Sequence, residues 1–501
     1  IHFLRRAGIS KEDALKICKA WNKRNKPPLE DVSGKVDYHY GLAESYRYFY
    51  SLDPGLWNIT EALILEKKKK SKTSKKALLR EQQISDTAEI MEVLKQRYNF
   101  ITANDTKTIY YYKDGIFEEA TTLIEAEAEA HFNDTNSTYF TNEIINHLRR
   151  ETYTNRDVFN ADKTRIPLKN GLFNLKTFEI EPFDENKIFT FRVPIVYDVN
   201  AGCPNIKAWI KEIVNPDSLN LLQEFCGYGF EPRLPLHKTL WLHGSGRNGK
   251  GAFMRLYKKA IGRQNGSTIP LEQMSAKFRF VLIRLLDKLV NVCSEPQSNY
   301  VFQTETFKKI TGGDEIEGEI KGLQKTVSFT SFAKLFIMGN KYPNIDDNTI
   351  GFWERMEIVG FPNDYSENFI PDIEDKKISA DGGEEQALAG FFNWCMVGLK
   401  RLKEKNYKLS QSKSSEETRL EFEKVSNSIR AFITECVKLK PSEKYPKPAL
   451  WNDYKDYCDR FDLQIQQKSI FTNRIGELRG VTLKPAKKDG KTQKFWFGLT
   501  F

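Results

Sequence analysis

Apolar and polar positions follow different patterns along the chain, and the pattern in the middle is the most regular. Between residues 238 and 361, short apolar runs alternate with amphipathic segments of helical period. The runs that predict buried strands are Thr239–His243, Leu289–Cys293 and Ala333–Asn340, with a fourth inside Phe352–Phe361. Strands that alternate with helices are typical of a parallel sheet covered by helices. The fold class predicted from the pattern is therefore α/β.

The part of the chain before residue 206 mixes helical patterns with hairpin patterns. The predicted elements are helices after Ser10, over Ala88–Tyr98 and over most of Thr122–Arg150, and hairpins in Ile109–Phe117 and Pro167–Pro182. The second hairpin is expected to turn at Asn170-Gly171, a dipeptide that suits tight turns between strands. Residues 86–205 are therefore predicted to form one α+β module.

The last part of the chain predicts helices followed by strands. The patterns indicate buried or amphipathic helices at Ala387–Leu402, Glu416–Val437, Leu450–Phe461 and Lys468–Leu478, and strands at Val481–Lys484 and Phe495–Leu499. Two helices followed by a two-stranded basic wing favour a winged-helix domain at the carboxyl end.

These patterns divide the chain into seven segments. They are a helical segment (1–50), a Lys-rich linker (51–85), the α+β module (86–205), a helical collar (206–237), an α/β core (238–400), a helical linker (401–440) and a winged-helix-like basic domain (441–501). A length of 501 residues is consistent with several domains.

Composition excludes two classes of protein. A hydrophobic fraction of 40% is enough for packed cores, which argues against wholesale disorder. The longest nearly apolar stretch, Ala387–Leu399, has 13 residues, whereas a membrane span needs about 20. No zinc-type cysteine motif occurs among the seven cysteines, and scattered thiols suit a reducing interior. We therefore expect a cytoplasmic protein with no membrane partner.

Positive charge is concentrated in two places. The net charge is +10, and Lys67–Lys76 contains seven lysines and no acid. Leu463–Phe501 has eight Lys or Arg residues against two acids, so these two segments account for the whole surplus. Such clusters suggest contact with a polyanion such as nucleic acid, although a solvated linker and a solvated surface explain them equally well.

Residues 244–250 carry the strongest chemical signal. The spacing Gly244-x4-Gly249-Lys250 follows a predicted strand and precedes a predicted helix, which is the context of a P-loop. In such a loop, successive N–H groups and a helix N-terminus bind phosphates while the lysine reaches the β and γ oxygens. The residues predicted to bind ATP are Gly244, Ser245, Gly246, Arg247, Asn248, Gly249, Lys250 and Gly251.

Position 251 departs from the usual motif. A Ser or Thr normally stands there and binds Mg²⁺, but this chain has Gly251. The acidic pair expected after the next buried strand is also weakened, because it reads Ser294-Glu295. We expect Mg²⁺ to be held by Glu295, water and the phosphates.

Three further residues complete the predicted catalytic set. Glu295 follows a buried strand, where a carboxylate can polarise the attacking water. Asn340 ends the next strand, where its amide can hold that water, although Asn also favours turns. Arg355 begins the last strand, where it can reach a neighbouring subunit's nucleotide as an arginine finger, although a lone surface arginine is the commoner case.

The order Lys250, Glu295, Asn340 and Arg355 resembles superfamily 3 helicases, and more closely the phage and plasmid primase–helicases related to the poxvirus primase–helicase. The motifs that carry the resemblance are GSGRNGKG, FKKITGGDEIEGEIK, KLFIMGNKYPNI, KNGLFNLKT, CGYGFEP and KRNKPPL. It implies an AAA+-like core, a homo-oligomeric ring of probable hexamer size, translocation on single-stranded DNA and DNA forks, and a primase domain upstream in the parent chain. We accordingly expect this chain to be part of a longer protein.

The resemblance also implies where DNA binds. The family's DNA-contacting hairpin falls on Gly312–Lys325, which contains the candidate contacts Lys321 and Lys325; Lys308 and Lys309, just before it, are further candidates. These four lysines are also compatible with an ordinary solvated face. The chain departs from the commoner form there, because Glu319 stands where an Arg is usual. The basic carboxyl-terminal domain contributes Arg474, Arg479, Lys484 and Lys487 as further candidates.

Three functions remain open on the sequence alone. The first is an ATP-dependent DNA helicase of a virus or plasmid. The second is an ATPase that remodels DNA–protein complexes without unwinding DNA, which Gly251, Ser294 and Glu319 make credible. The third is an origin- or duplex-binding protein whose nucleotide site only stabilises a ring.

Overall fold

The computed structural model describes residues 10–22, 89–132, 138–294, 301–302, 304–322, 326–340, 344–345, 350–488 and 491–501. The chain divides into two compact units, one made of Ile1–Gln96 with Glu127–Ile144 and the other of Arg97–Ala126 with Ile145–Phe501. The predicted Lys-rich linker lies outside the described residues, and so does most of the predicted helical segment before it. The seven predicted segment boundaries stay predictions.

The first unit contains two of the predicted helices, α1 (Lys11–Asn22) and α2 (residues 89–97). The Ser10 hydroxyl oxygen accepts a hydrogen bond from the Asp13 N–H at 3.2 Å, so it caps the first turn of α1. Ala14 and Ile17 are buried on one side of that helix. The helical patterns after Ser10 and near residue 90 are therefore confirmed.

The second unit begins with a small mixed sheet. Strands β1 (Phe100–Ala103), β2 (Ile109–Lys113), β3 (Ile116–Glu119) and β4 (Tyr153–Thr154) are ordered β3-β2-β1-β4. Helices α3 (Thr121–Phe132) and α4 (Thr138–Thr152) lie between β3 and β4 in sequence. The predicted hairpin is confirmed, and its turn at Asp114–Gly115 places both residues at positive φ.

A second, antiparallel sheet follows, made of β5 (Arg165–Leu168), β6 (Gly171–Asn174) and β7 (Glu179–Glu181). The hairpin predicted here is present, but its two turn residues are Lys169 and Asn170, one position earlier than expected. Gly171 belongs to the strand because it pairs with Leu168. A Cβ atom at Gly171 would lie 2.4 Å from the Glu181 carbonyl oxygen, so the glycine permits the close approach of β7.

Helices α5 (Pro204–Ile213) and α6 (Leu219–Gly229) then lead into a five-stranded parallel sheet. Its strands are β8 (Thr239–His243), β9 (Gly266–Ser267), β10 (Val290–Cys293), β14 (Lys334–Gly339) and β16 (Met356–Gly360). Their order is β16-β8-β14-β10-β9, and every neighbouring pair is parallel. The α/β fold class with a parallel sheet is therefore confirmed.

The connections between these strands carry helices and small insertions. The helices are α7 (Lys250–Ile261), α8 (Arg279–Leu282), α9 (Thr304–Gly312) and α10 (Ile350–Trp353). The insertions are a parallel pair of β11 (Val301–Phe302) with β15 (Asn344–Ile345), and an antiparallel hairpin of β12 (Glu315–Glu319) with β13 (Thr326–Thr330). Strand β12 lies within Gly312–Lys325, the segment that the family resemblance assigns to DNA contact, whereas β13 follows it.

Helices α11 (Ile373–Ala380) and α12 (Glu384–Glu404) follow the sheet in sequence, and α12 packs closely against α6. A Cβ atom at Gly227 would lie 2.2 Å from the Cys395 carbonyl oxygen, and one at Gly398 would lie 2.3 Å from the Gln223 carbonyl oxygen. Glycine on both helices therefore lets their backbones touch. Among the described residues, no helix is long and apolar enough to cross a membrane.

The carboxyl-terminal part has the order helix–strand–helix–helix–strand–strand. After α13 (Lys413–Ser426), its elements are α14 (Ser428–Cys436), β17 (Lys438–Pro446), α15 (Lys447–Arg460), α16 (Lys468–Gly476), β18 (Thr482–Lys488) and β19 (Lys491–Thr500), and the sheet order is β17-β19-β18. The single helix predicted over Glu416–Val437 is wrong, because Asn427 interrupts it and caps α14 by accepting from the Arg430 N–H at 3.0 Å.

Candidate nucleotide site

The predicted P-loop connects β8 to α7 at the carboxyl edge of the parallel sheet. Gly246 and Gly249 adopt positive φ values of 108° and 89°, which side-chain-bearing residues rarely take. A Cβ atom at Gly244 would lie 1.9 Å from Asn248 Nδ2, so glycine is required there for space. Asn248 is buried, and its amide donates to the Phe361 carbonyl oxygen at 3.3 Å. Asn248 therefore fills the space beside Gly244 and connects the loop to the residue that follows β16.

Lys250 is the first residue of α7 and the chemical centre of the loop. Its side chain is only 6% exposed. Its Nζ donates to the Gly244 carbonyl oxygen at 2.8 Å, to Asn248 Oδ1 at 3.0 Å and to Asn340 Oδ1 at 2.9 Å. The ammonium therefore lies between the end of β8 and the end of β14, at the helix N-terminus, where an anion is favoured.

His243, the last residue of β8, does not add positive charge to this loop. Burial, followed by the charge of Lys250, lowers the pKa of the His243 imidazole to about 4. The ring is therefore neutral near pH 7. The local positive potential comes from Lys250 and the helix N-terminus.

The structure brings two of the four predicted motif residues together. Asn340 directly follows β14 and contacts Lys250, as described above. Glu295 lies outside the described residues. Ser294, its neighbour, is exposed immediately after β10, which lies beside β14 in the sheet. The roles assigned to these residues stay predictions.

Arg355 lies at the opposite edge of the same sheet. Strand β16 pairs with β8 in parallel, with Met356 opposite Thr239 and Gly360 opposite His243. Arg355 precedes this strand and the P-loop follows β8, so about five residues, or roughly 16 Å, separate them along the sheet. The Arg355 guanidinium donates to the Gly351 carbonyl oxygen, and its Nε is buried without a hydrogen-bond partner among the described residues.

Two ion pairs that the sequence analysis did not identify connect α7 to α11. Arg255 contacts Glu374, and Lys259 contacts Asp375. The four-residue spacing of Arg255 and Lys259 on α7 is the one signal that could have suggested them, because residues four apart share a helix face; their partners on α11 are adjacent residues. Arg255 is also one turn after Gly251, the residue that departs from the usual motif.

The described residues around the loop do not by themselves fit a divalent cation. Mg²⁺ prefers oxygen ligands in octahedral geometry, but Gly251 has no side-chain oxygen and Ser294 offers one exposed hydroxyl. Among the described residues, no group of three or more His, Cys, Asp or Glu side chains could hold a metal ion. The predicted Mg²⁺ ligand, Glu295, lies outside these residues.

The candidate DNA contacts near the β12–β13 hairpin differ in their surroundings. Lys321 is exposed in the connecting loop, whereas Lys325 lies outside the described residues. On α9, Lys308 is half-buried, and Lys309 pairs with Glu305 at 2.9 Å. The unexpected acid of the hairpin, Glu319, lies 3.5 Å from Arg279, so an arginine from α8 stands beside it.

The candidate contacts of the carboxyl-terminal part lie on α16, just after it, and on β18. Arg474 on α16 pairs with Glu477 at 3.0 Å. Arg479 is exposed just after that helix, and Lys484 and Lys487 are exposed on β18. Cations on a helix and an adjoining strand can contact nucleic acid backbone phosphates.

Comparison with known proteins finds two family matches. Residues 19–215 match the family described as "D5 N terminal like", and residues 242–355 match a family of unknown function (DUF5906). The second match runs from the P-loop strand to Arg355. The matches support, in outline, a likeness to phage and viral primase–helicase-type replication proteins. No curated protein matches the chain.

Comparison with solved structures finds matches at low identity and with TM-scores below 0.5. The A-form apo structure of the NrS-1 C-terminal region is 12% identical, with a TM-score of 0.47, over 82% of this chain and 98% of that chain. An apo structure of the NrS-1 C-terminal region (305–718) is 13% identical, with a TM-score of 0.44, over 83% and 99%. Likeness of this size does not extend to function.

Proposed function

We propose that this chain is an ATP-hydrolysing motor that assembles as a ring of six copies and moves on single-stranded DNA as the helicase part of a replication protein. One observation carries the proposal: buried Lys250 joins the glycine-rich loop to Asn340 at the carboxyl edge of a parallel sheet. Ligands of open parallel sheets bind at this edge. The family matches support the replication context.

Binding of ATP follows from the groups at this edge. The N–H groups of the loop and of the first turn of α7 suit the phosphates, and Lys250 can exchange its present oxygen acceptors for β and γ oxygens. Because these acceptors are a loop carbonyl and two amide oxygens, the exchange replaces neutral oxygens with charged ones. Charge-assisted hydrogen bonds are roughly twice as strong as neutral ones.

Hydrolysis requires a positioned water and a positive charge on the γ-phosphate. We assign the first task to Glu295 and Asn340, and the second to Lys250 together with Arg355 of a neighbouring copy. Arg355 is separated from the P-loop of its own chain by roughly the length of a strand. It can therefore act only in trans, which makes the ring part of the catalytic proposal.

Mg²⁺ would supply positive charge to the phosphate oxygens when bound. Its protein ligand in this proposal is Glu295, since Gly251 supplies none. The steps assigned above to Lys250, Asn340 and Arg355 are binding and orientation, and they do not depend on how the ion is held.

The test is ATP hydrolysis by the purified chain with and without single-stranded DNA. DNA should stimulate hydrolysis, and Lys250→Ala should reduce it at least about a hundredfold, since it removes the cation at the phosphates. Lys258→Ala, on the same helix two turns away, is the matched control and should hydrolyse ATP normally. A chain that binds and hydrolyses no nucleotide would refute the proposal.

A second candidate is an ATPase that remodels DNA–protein complexes without unwinding. Glu319 itself favours it, because a carboxylate on the hairpin, where an Arg is usual, supplies no positive charge for phosphates. A strand-displacement assay separates the two: a helicase releases a labelled strand from a fork with ATP, whereas a remodeller hydrolyses ATP without releasing it.

The carboxyl-terminal domain offers a third role, duplex or origin binding. Its helix–strand–helix–helix–strand–strand order supports the winged-helix prediction, and Arg474, Arg479, Lys484 and Lys487 are its candidate contacts. Binding of a duplex that survives Lys250→Ala but is lost on deleting residues 441–501 would favour this role.

A further inference from the structure

We propose that Arg255 is a nucleotide-contacting residue that brings a guanidinium to the phosphates at the place where other P-loops carry a metal-ligating hydroxyl. The proposal rests on the proposed function, because it concerns the same nucleotide site. It follows from the geometry of α7 around Gly251 and from the contacts of α11.

Arg255 is one helical turn after Gly251. Residues four apart lie on one face of a helix, and helical side chains point back toward the N-terminus. The Arg255 side chain therefore runs along α7 toward the phosphate-binding end. This is the same end at which Lys250 and the N–H groups of the P-loop lie.

The missing side chain at position 251 leaves room for this guanidinium. A Cβ atom built on Gly251 would have Arg255 Nη1 as its nearest neighbour, at 3.6 Å. A Ser or Thr hydroxyl on that Cβ atom would compete for the space in front of Nη1. Gly251 therefore lacks the usual metal ligand and also leaves space for the Arg255 guanidinium, which is permanently charged.

Glu374 fixes the orientation of this cation. Its carboxylate is 2% exposed and accepts hydrogen bonds from Arg255 Nε and, at 3.0 Å, from Nη2. The hydrogen bond that Arg255 donates to Glu374 raises the pKa of Arg255, so the guanidinium stays charged at any working pH. With Nε and Nη2 occupied by the carboxylate, Nη1 remains the nitrogen directed at position 251.

The neighbouring ion pair provides a contrast on the same two helices. Lys259 contacts Asp375 one turn further along α7, and both side chains are at least a third exposed. That pair holds α7 to α11 in the same way, but it lies two turns from Gly251. If Arg255 served only to join the helices, the two pairs would be equivalent in function.

Arginine suits this task because its planar fork binds phosphate oxygens and stays protonated. The Arg255 guanidinium, beside Gly251, neutralises part of the negative charge of the phosphates. In P-loops with a hydroxyl at that position, a Mg²⁺ ion neutralises this charge. Nucleotide binding should therefore depend less on a divalent cation than it does in those proteins. This expectation separates a phosphate contact from a structural ion pair.

The experiment measures the Kd of a fluorescent ATP analogue for the full chain, once with excess EDTA and once with Mg²⁺. We expect the wild type to bind in EDTA within about tenfold of its affinity in Mg²⁺. Arg255→Gln should weaken binding in EDTA at least about tenfold, since it removes a charge-assisted contact. Lys259→Gln, the matched control, should change neither value.

Gly251→Ser provides the opposite test. A hydroxyl at that position should restore a metal ligand and crowd Nη1, so binding should become more dependent on Mg²⁺. A thermal unfolding curve for each variant, compared with that of Lys259→Gln, shows whether the α7–α11 contact has been lost altogether.

The outcomes separate this inference from the proposed function. A wild type that binds no nucleotide in either condition overturns the proposed function and this inference with it. A wild type that binds only with Mg²⁺, or an Arg255→Gln variant that binds in EDTA as the wild type does, overturns this inference alone. The selective loss described above for Arg255→Gln supports it.

Discussion

Two buried lysines at opposite edges of the parallel sheet show how one residue type serves two purposes. Lys250, at the carboxyl edge, is 6% exposed, and Lys334, the first residue of β14 at the amino edge, is 1% exposed. Lys250 donates to a loop carbonyl and to the amide oxygens of Asn248 and Asn340. Lys334 donates to the carbonyl oxygens of Glu231 and Phe332.

The difference lies in what can replace these acceptors. Those of Lys250 belong to a loop and two side chains, so an anion entering between them can take their place. Those of Lys334 belong to main chain inside the core, and its ammonium also lies 4.9 Å from the centre of the Tyr228 ring. The first lysine is therefore available to a ligand, whereas the second is committed to the fold.

The strongest test of this contrast concerns Arg355, which lies at the amino edge and yet is assigned a catalytic role. Arg355→Ala should reduce ATP hydrolysis at least about a thousandfold, the usual loss for an arginine finger, with nucleotide affinity unchanged. Hydrolysis rates measure the expected loss of activity, and the Kd of a fluorescent ATP analogue measures the affinity that should stay unchanged. Arg233→Ala, near the same edge, is the control and should hydrolyse ATP normally.

Mixing experiments decide whether Arg355 acts in trans. Arg355→Ala supplies an intact P-loop, and Lys250→Ala supplies an intact arginine, so mixed rings should regain part of the hydrolysis that each variant lacks. If the mixture is as inactive as its components, or if Arg355→Ala alone is fully active, the amino edge has no catalytic role.

Asn340 tests the carboxyl edge with a smaller expected effect. Asn340→Ala removes one acceptor of Lys250 and the amide assigned to the water, so hydrolysis should fall about a hundredfold. Nucleotide affinity should change little, because Lys250 and the N–H groups of the loop, which bind the phosphates in this proposal, are unchanged. Asn393→Ala, whose amide on α12 donates to the Asp198 carbonyl oxygen, is the control. An equal fall in both variants would contradict the assignment.

The sequence predicted the carboxyl edge better than the amino edge. The P-loop requires glycines at particular positions and a lysine at a fixed spacing, so its residues are recognisable in the sequence, and the placement of Asn340 followed from the parallel sheet. Arg255 and Glu374 were not identified, because they are 119 residues apart and only the fold brings them together. Lys334 was not singled out because it reads as the first residue of an apolar strand.

The sequence also predicted buried elements better than exposed ones. Strands with continuous apolar runs, such as β8 and β14, were found, whereas β17 was missed because its residues are exposed or half-buried and do not alternate. The break at Asn427 was missed because helical periodicity continues across it. A single polar residue that caps a new helix leaves the apolar spacing on both sides unchanged.

The smallest expected effect concerns Lys334 and depends on pH. Burial lowers the pKa of the Lys334 ammonium to about 7, whereas an unfolded lysine titrates near 10.4. Between these values the unfolded chain binds more protons, so this residue makes the free energy of unfolding rise with pH. The charged or polar groups that face it are Glu231, Lys163, Arg233 and Tyr228.

Lys334→Met removes the titrating group and keeps most of its volume. The difference in the free energy of unfolding between variant and wild type should therefore favour the variant by about 3 kcal/mol more at pH 6 than at pH 9. Urea unfolding at the two pH values measures it, and all other titrating groups are common to both chains. ATP hydrolysis by the folded variant should match that of the wild type. A pH-independent difference, or a loss of hydrolysis in a folded variant, would mean that Lys334 is not the purely structural counterpart of Lys250.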